Sequence, residues 1–452
     1  MIRALVGPAR AVLLAAALAL LPLGCATAPA STLPRPADTD LPAPTREVLP
    51  NGLRLIVQEH RAADIVAVHL WVGVGVRYEK PDELGYSHFQ EHMLFKGTDK
   101  WGPGHIDRAV EGIGGKDNAV TSFDYTNYYI ILPSEGLDTA VELLRDMAFR
   151  STFDPKEIAR EREVIFEEAN IEQDNPKTAI VRQLYGLVFA GNPYGRPVLG
   201  IPETMNAATR ARLLAYNREY YTPENMALVI VGPVNPEAVR PVVKRTFGAV
   251  ASRGYKPAPA PAPTPLVGRV SRDVERPEQQ AMLALGWQAP RSDDPTGNWV
   301  DLLTSILAGT DSSRLAKRLR DDENLVSGIT MNYAALVGGG IVSLRAELEA
   351  KDLAQVERII LEEIARMQAD GPTAEELKLA VTKFESEHAF SIETAEGLAN
   401  AYGIAETTWT IEAELRYVDS LRQVTREQVR DAARRFLSRA NYARIAFVPK
   451  KP

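Results

Sequence analysis

The stretch YSHFQEHMLFKGT (residues 86–98) holds two of the chain's six histidines, His88 and His92, with Glu91 between them. On a helix, positions i, i+3 and i+4 share one face. Both imidazoles and the carboxylate can therefore aim at a single point. Their neighbours Phe89, Met93, Leu94 and Phe95 are apolar, and burying three polar heads there without partners would cost several kcal/mol. A metal ion removes that cost, because neutral imidazole is a good zinc ligand. A lone histidine in such a setting is an ordinary core residue. The H-x-x-E-H trio arises by chance in roughly one chain of this composition in a few hundred, which favours a metal.

A hydrolytic zinc needs a third protein ligand and an open position for water. Asp154-Pro155, with Glu157 three residues after Asp154, reads as a helix start with a capping box, and Asn175-Pro176 ends that helix near Asp174. It carries Glu157, Glu161, Glu163, Glu167, Glu168 and Glu172. Most belong to a solvated charged face. Glu161 and Glu168 lie seven residues apart with Val164 and Ile165 between them, a stripe that points inward. Spacing alone does not choose between the two as ligand.

The elements around these residues read as α+β. NGLRLIVQEH (51–60) and IVAVHLWVGVGVRYE (65–79) form adjacent strands, and NAVTSFDYTNYYIILP (118–133) forms one or two more. The Pro-rich KPAPAPAPTPL (256–266) stops both helix and sheet and divides the chain almost in half. TRARLLAYNREYYTPENMALVIVG from Thr209 and TREQVRDAARRFLSRANYARIAFV from Thr425 repeat one pattern: Thr cap, amphipathic helix, then an Asn opening an apolar strand. Their places at the ends of the two halves indicate duplication. Strands mixed with long helices in each half predict two homologous domains, each a mostly antiparallel sheet packed with helices. The boundaries are 46–252 for a zinc-bearing domain, 253–267 for the linker and 268–450 for the second domain.

Composition is globular, 45% hydrophobic and 25% charged, and the net charge of −7 argues against nucleic acid as a partner. Residues 1–24 have Arg3 and Arg10, an apolar stretch from Ala11 to Leu21 and small residues after it, which is a secretory leader. The sole cysteine, Cys25, follows Leu23-Gly24 as in a bacterial lipoprotein box, with Pro22 where leucine is usual; cleavage after Ala28 is the alternative. Residues 25–45 then form a Pro-rich tether. Lipidation would place the chain in the periplasm on the outer membrane, touching it through the lipid anchor only. His60, His69, His105 and His388 have no metal-like spacing.

HFQEHMLFKGT, GGKDNAVTSFDYTNYYIILP and EREVIFEEANIEQDNP, in this order and spacing, resemble the pitrilysin/insulinase family of inverzincin metallopeptidases, and its processing-peptidase-like bacterial branch in particular. The likeness covers residues 46–450. It implies one Zn2+ per chain on His88, His92 and Glu168, Glu91 as general base, and Glu161 as support behind the ligands. Asn118 and Ala119 would hold peptide backbone by strand addition. Active members carry an R-x6-Y pair; here Arg320 fits the Arg, Ser327 stands where the Tyr belongs, and Tyr333 is out of register. The resemblance therefore implies an endopeptidase for peptides or unfolded segments, paired with a homologous subunit that supplies an Arg-Tyr pair, or else a homodimer. The rival readings are an inactive scaffold and a peptide-binding chaperone of the same fold.

Overall fold

The computed structural model describes Leu41 and residues 44–450. The expected leader, Cys25 and nearly all of the tether lie outside the described residues. Among the described residues no helix is long and apolar enough to cross a membrane.

Two sheets organise the chain. The first holds β1 (Thr45–Val48), β2 (Arg54–Glu59), β3 (Ile65–Val72), β4 (Lys116–Thr121), β5 (Thr126–Pro133) and β6 (Met226–Gly232), in the order β1-β2-β6-β3-β5-β4. The second holds β7 (Arg269–Arg276), β8 (Ala281–Ala289), β9 (Val326–Ala334), β10 (Gly340–Leu348) and β11 (Tyr442–Pro449), in the order β7-β11-β8-β10-β9. Leaving out β1, the two orders are the same. In each sheet only the first and last strands of the repeat, β2 with β6 and β7 with β11, run parallel. Thr209 and Thr425 cap equivalent helices, Arg210–Tyr220 and Arg426–Phe436, through side-chain oxygens that accept from Arg212 N and Gln428 N. The duplication seen in the sequence is thus a duplication of topology.

Several local expectations shift. The strand from Ile65 ends at Val72, and Val76–Tyr78 forms a tight helical turn whose N–H groups at Val76 and Arg77 bond to Ser122 and Phe123 carbonyls. The 118–133 run is two strands, with the Ser122–Tyr125 turn clamped by those bonds. The long acidic helix spans Pro155–Asp174 with Asp154 accepting from Lys156 N at 2.7 Å. Glu157 does not close a capping box, because its carboxylate takes Arg160 one turn on, at 2.8 Å. Asn175 ends this helix and caps the next, Pro176–Val188.

Each half lends a helix to the other's sheet. Pro176–Val188 packs on β8 and β11, with Ile180, Leu184 and Val188 in one cluster with Met282, Ile445 and Phe447. Ala395–Thr408 packs on β3 and β6 of the first sheet. All seven residues of β6 are buried, as an unbroken apolar run requires when helices cover both faces of a strand. Ion pairs Arg46–Glu406 and Lys116–Glu396, both 2.7 Å, tie the exchanged helix to the first half. A buried junction adds to this. Asp124 accepts from Arg77 Nε (2.7 Å), Tyr194 Oη (2.8 Å) and Val337 N of the second half (3.0 Å). The Pro-rich connection runs along this seam, its Ala258 and Pro261 carbonyls accepting from Arg77 and Asn192.

The seam allows no extra atoms at Gly403, where a Cβ would stand 1.9 Å from Trp71 Nε1. Trp71 is buried in β3 and cannot swing away. Gly403→Ala is expected to destabilise the protein by about 3 kcal/mol, the upper range for overpacking, in urea unfolding followed by circular dichroism. An unchanged midpoint would mean that the exchanged helix does not sit on Trp71.

Candidate metal centre

The histidine helix, Tyr86–Leu94, is held at its start by a buried acid. Glu79 accepts from Gly85 N (2.9 Å) and Ser87 N (2.8 Å), satisfying first-turn donors and placing a carboxylate at the positive end of the helix. Burial pushes Glu79 up to about 8, while these N–H groups and Arg196 pull the other way. Gly85 has φ of 91°, and a Cβ there would meet Gly200 Cα at 2.7 Å, so the helix enters where only glycine fits. Tyr86, Phe89 and Met93 enter the core, and Gln90 Nε2 donates to Leu213 O at 2.8 Å. That fixes the rotation of the helix. His88, Glu91 and His92 are left on the opposite face.

The long acidic helix lies against that face, seated by Ile158 and Ile165, which join the same core. Its inward stripe differs from expectation at one position: Ile165 is buried but Val164 is exposed, since Val164 sits one step round the helix from the contact line. The geometry separates the two glutamates that spacing left equivalent. Glu168 Oε2 stands 3.4 Å from His92 Nε2 and 3.7 Å from His88 Nε2. Glu161 Oε2 instead accepts from His92 Nδ1 at 2.9 Å, and its other oxygen pairs with Lys96 Nζ at 3.0 Å.

The donor set fits zinc. Ligand atoms of His88, His92 and Glu168 all lie within 4.8 Å of one another. Tetrahedral ligands at zinc bond lengths of ~2.0–2.1 Å stand about 3.3–3.4 Å apart, close to the observed N···O separations. Two imidazoles and one carboxylate leave a fourth position open. Burial, with His92 adding to it, lowers His88 to about 3, so it is neutral as a ligand must be. Burial opposes protonation of His92 too, but the Glu161 hydrogen bond and the Glu168 and Glu91 charges outweigh it and raise its pKa. His88 Nδ1 is buried without a side-chain or backbone partner among the described residues, so His92 is the more firmly oriented imidazole.

Glu91 lies beside this set without joining it. Burial raises its pKa, and the Thr121 hydroxyl, donating to Glu91 Oε2, partly offsets the rise. Thr121 ends β4, the outer edge of the first sheet, and the same strand carries Asn118 and Ala119. Sequence reasoning missed Thr121, Lys96 and Glu79. All three stood inside quoted stretches; the partners of Thr121 and Lys96 are distant in the chain, and Glu79 bonds backbone N–H groups of Gly85 and Ser87, which carry no sequence signal.

Arg320 and Ser327 bond to residues of the second half. Arg320 lies in the π-helical turn Ala316–Asp322, where its guanidinium pairs with Asp311 and Asp321. Ser327 is on β9, its hydroxyl 3.4 Å from Glu347 O. Tyr333 Oη donates to Pro290 O at 2.8 Å. No hydrogen bond or ion pair among the described residues joins any of the three to His88, Glu91, His92 or Glu168. Aligning Gly97-Thr98-Asp99 with Gly309-Thr310-Asp311 puts Val300, Leu303 and Thr304 where the first half has His88, Glu91 and His92. The second half has kept the scaffold and lost the donors.

Two family models match consecutive parts of the chain. Residues 54–201 match insulinase (peptidase family M16), and residues 207–384 match the peptidase M16 inactive domain. An uncharacterized zinc protease of Mycobacterium tuberculosis is 30% identical over 407 residues, 88% of this chain and 91% of that protein. The chain belongs to peptidase family M16. Another M16 relative, an uncharacterized zinc protease of Bacillus subtilis, is 29% identical over 389 residues, covering 86% and 94% of the two chains. Among solved structures, a protease from Helicobacter pylori has a TM-score of 0.86 at 21% identity, covering 90% of this chain and all of that one. A peptidase M16 inactive domain from Pseudomonas fluorescens has a TM-score of 0.83 at 19% identity, covering 90% of this chain. Both share the two-sheet M16 fold.

Because zinc binding must displace any proton on His92, whose pKa is raised, affinity is expected to fall as pH drops below neutral. Glu161→Gln should cost about 10- to 100-fold in zinc affinity and flatten this pH dependence. Chelator competition across pH measures both.

Proposed function

We propose that this chain is a zinc-dependent endopeptidase acting on peptides or unfolded segments in the bacterial envelope, as the zinc-bearing subunit of a heterodimer. The observation that carries this reading is the convergence of His88 Nε2 and His92 Nε2 on Glu168 Oε2, with Glu91 beside them and an edge strand leading to Glu91 through Thr121.

Held by His88, His92 and Glu168, zinc would supply the Lewis acidity that makes water a nucleophile near neutral pH and polarises the scissile carbonyl. Glu91 takes the proton of the attacking water and delivers it to the leaving amine. Its raised pKa suits both halves of that task. The Thr121 hydroxyl keeps the Glu91 carboxylate turned to the site. Glu161 fixes the ring of His92, and Lys96 fixes Glu161. An extended peptide adds to the free edge of β4 at Asn118 and Ala119, which aligns its carbonyls with Glu91.

The oxyanion needs donors that these residues do not include. Ser327 occupies the position of the tyrosine in the family's Arg-Tyr pair, and Arg320 is engaged by two aspartates. Losing one oxyanion donor typically costs about 10²–10³ in turnover. A homologous subunit carrying an intact Arg-Tyr pair supplies what is missing. Localisation follows from the leader: lipidation at Cys25 and a Pro-rich tether would hold the peptidase at the outer membrane, facing the periplasm.

Glu91→Gln is expected to retain zinc and lose at least about 100-fold of cleavage of an unstructured fluorogenic peptide. Undiminished cleavage by that variant would sink the peptidase mechanism. The wild-type chain alone should cleave slowly, and adding a homologous subunit that carries an intact Arg-Tyr pair should raise the rate at least about 100-fold; full activity alone would instead point to a self-sufficient homodimer. Cys25→Ser should move the protein from the membrane fraction to the soluble fraction.

A further inference from the structure

The second half contains a cavity of about 900 Å3 that shares no residue with the metal centre. It opens between the start of the helix Gly297–Ala308, the helix Ala374–Ser391 and the short helices after Thr408. Trp299, Trp409 and Tyr417 form aromatic walls, with Trp409 and Tyr417 edge to face at 6.0 Å. Five carboxylates face this space against one arginine, Arg416, whose Nε donates to the Glu412 carbonyl at 3.1 Å.

Two of those carboxylates, Asp301 and Glu414, have no lysine or arginine ion-pair partner among the described residues. Asp301 Oδ2 accepts from Tyr417 Oη at 3.0 Å, and Lys383, the base that acts on Asp301, is itself paired with Glu387 at 2.7 Å. The Glu414 side chain is only 12% exposed and makes no hydrogen bond among the described residues; its basic neighbour, His388 Nδ1, stands 3.8 Å away. Burial lowers the pKa of His388, so it is neutral at physiological pH and supplies no charge. Burial also pushes both Asp301 and Glu414 up to about 7. Trp409 Nε1 is buried with no acceptor among the described residues.

Solvated surface acids are common and mean little. Desolvated acids walled by aromatic rings are different: above neutral pH such carboxylates are costly to keep ionised, a proton or an incoming cation relieves that cost, and ring faces attract ammonium and guanidinium groups. The volume is that of a small-ligand site. We propose that this cavity is a receptor for an organic cation, an ammonium or guanidinium group that lies against Trp409 and Tyr417 and ion-pairs with Asp301 and Glu414. The cation comes either from a free amine or from a lysine or arginine side chain of a peptide.

The test titrates the zinc-loaded chain with agmatine, and separately with an unstructured arginine-bearing peptide and its Arg→Gln counterpart, by calorimetry and tryptophan fluorescence. Saturable agmatine binding is expected, weakened at least about tenfold by Glu414→Gln and by Trp409→Ala. Cleavage of an uncharged peptide by Glu414→Gln should be unchanged, which separates this site from the zinc centre. Equal binding of the arginine peptide, but not its glutamine counterpart, identifies a side chain as the source; binding of agmatine alone identifies a free amine. Glu414→Gln removes a desolvated charge, so it should melt no lower than wild type; Asp301→Asn serves as the second variant. Absence of saturation by agmatine and peptide at millimolar concentrations, or affinities unchanged in both acid variants, would overturn the proposal.

Discussion

The hydrogen bond between His92 Nδ1 and Glu161 Oε2, at 2.9 Å, is where two helices with no sequence proximity are brought into register. The rest of the centre depends on it. With that bond made, the ring turns Nε2 toward Glu168 seven residues further along the same helix, and the third donor comes within reach. Lys96 on the other oxygen of Glu161 keeps the carboxylate from turning away. Apolar packing cannot do this, because Phe89, Met93 and Ile165 set the distance between the helices but not the direction of a ring nitrogen. Directional bonds between buried polar groups supply that last increment of order.

The chain holds this register by enclosing it in a duplicated frame. Each half gives a helix to the opposite sheet, so neither sheet is covered on both faces without the other half. The half that lost its donors is consequently not dispensable. Its helix Ala395–Thr408 lies over β3 and β6, and its Val337 N–H meets Asp124 beside the turn that leads out of β4. Val300, Leu303 and Thr304 in place of the ligand set turn the duplicated site into ordinary core, which removes buried charge that nothing there would neutralise.

The same electrostatic constraint appears twice with different outcomes. At the metal centre, acids and imidazoles converge so closely that one small, divalent ion satisfies them together. In the second-half cavity, Asp301 and Glu414 line a volume of about 900 Å3 with aromatic walls, which suits a larger and softer cation. Ligand spacing, rather than the number of carboxylates, distinguishes the two.

Much of this was legible in the sequence because it is local. The i, i+3, i+4 pattern at His88, Glu91 and His92 needs only helical geometry, and the Asp154 and Asn175 caps placed both ends of the acidic helix closely. The repeated Thr-capped helix and strand revealed the duplication for the same reason. What depended on distant chain segments was not legible. Spacing left Glu161 and Glu168 equivalent, and only the approach of the acidic helix to the histidine helix put Glu168 beside the two imidazole Nε2 atoms and Glu161 behind His92 Nδ1. Val164 looked inward by period but the actual line of contact passes through Ile165. Thr121, Lys96 and the exchanged helices carry no periodic signal, since their partners lie tens to hundreds of residues away. Local patterns determine which elements form and which residues can do chemistry; packing between elements decides which nitrogen faces which oxygen, because only tertiary contact fixes their relative rotation.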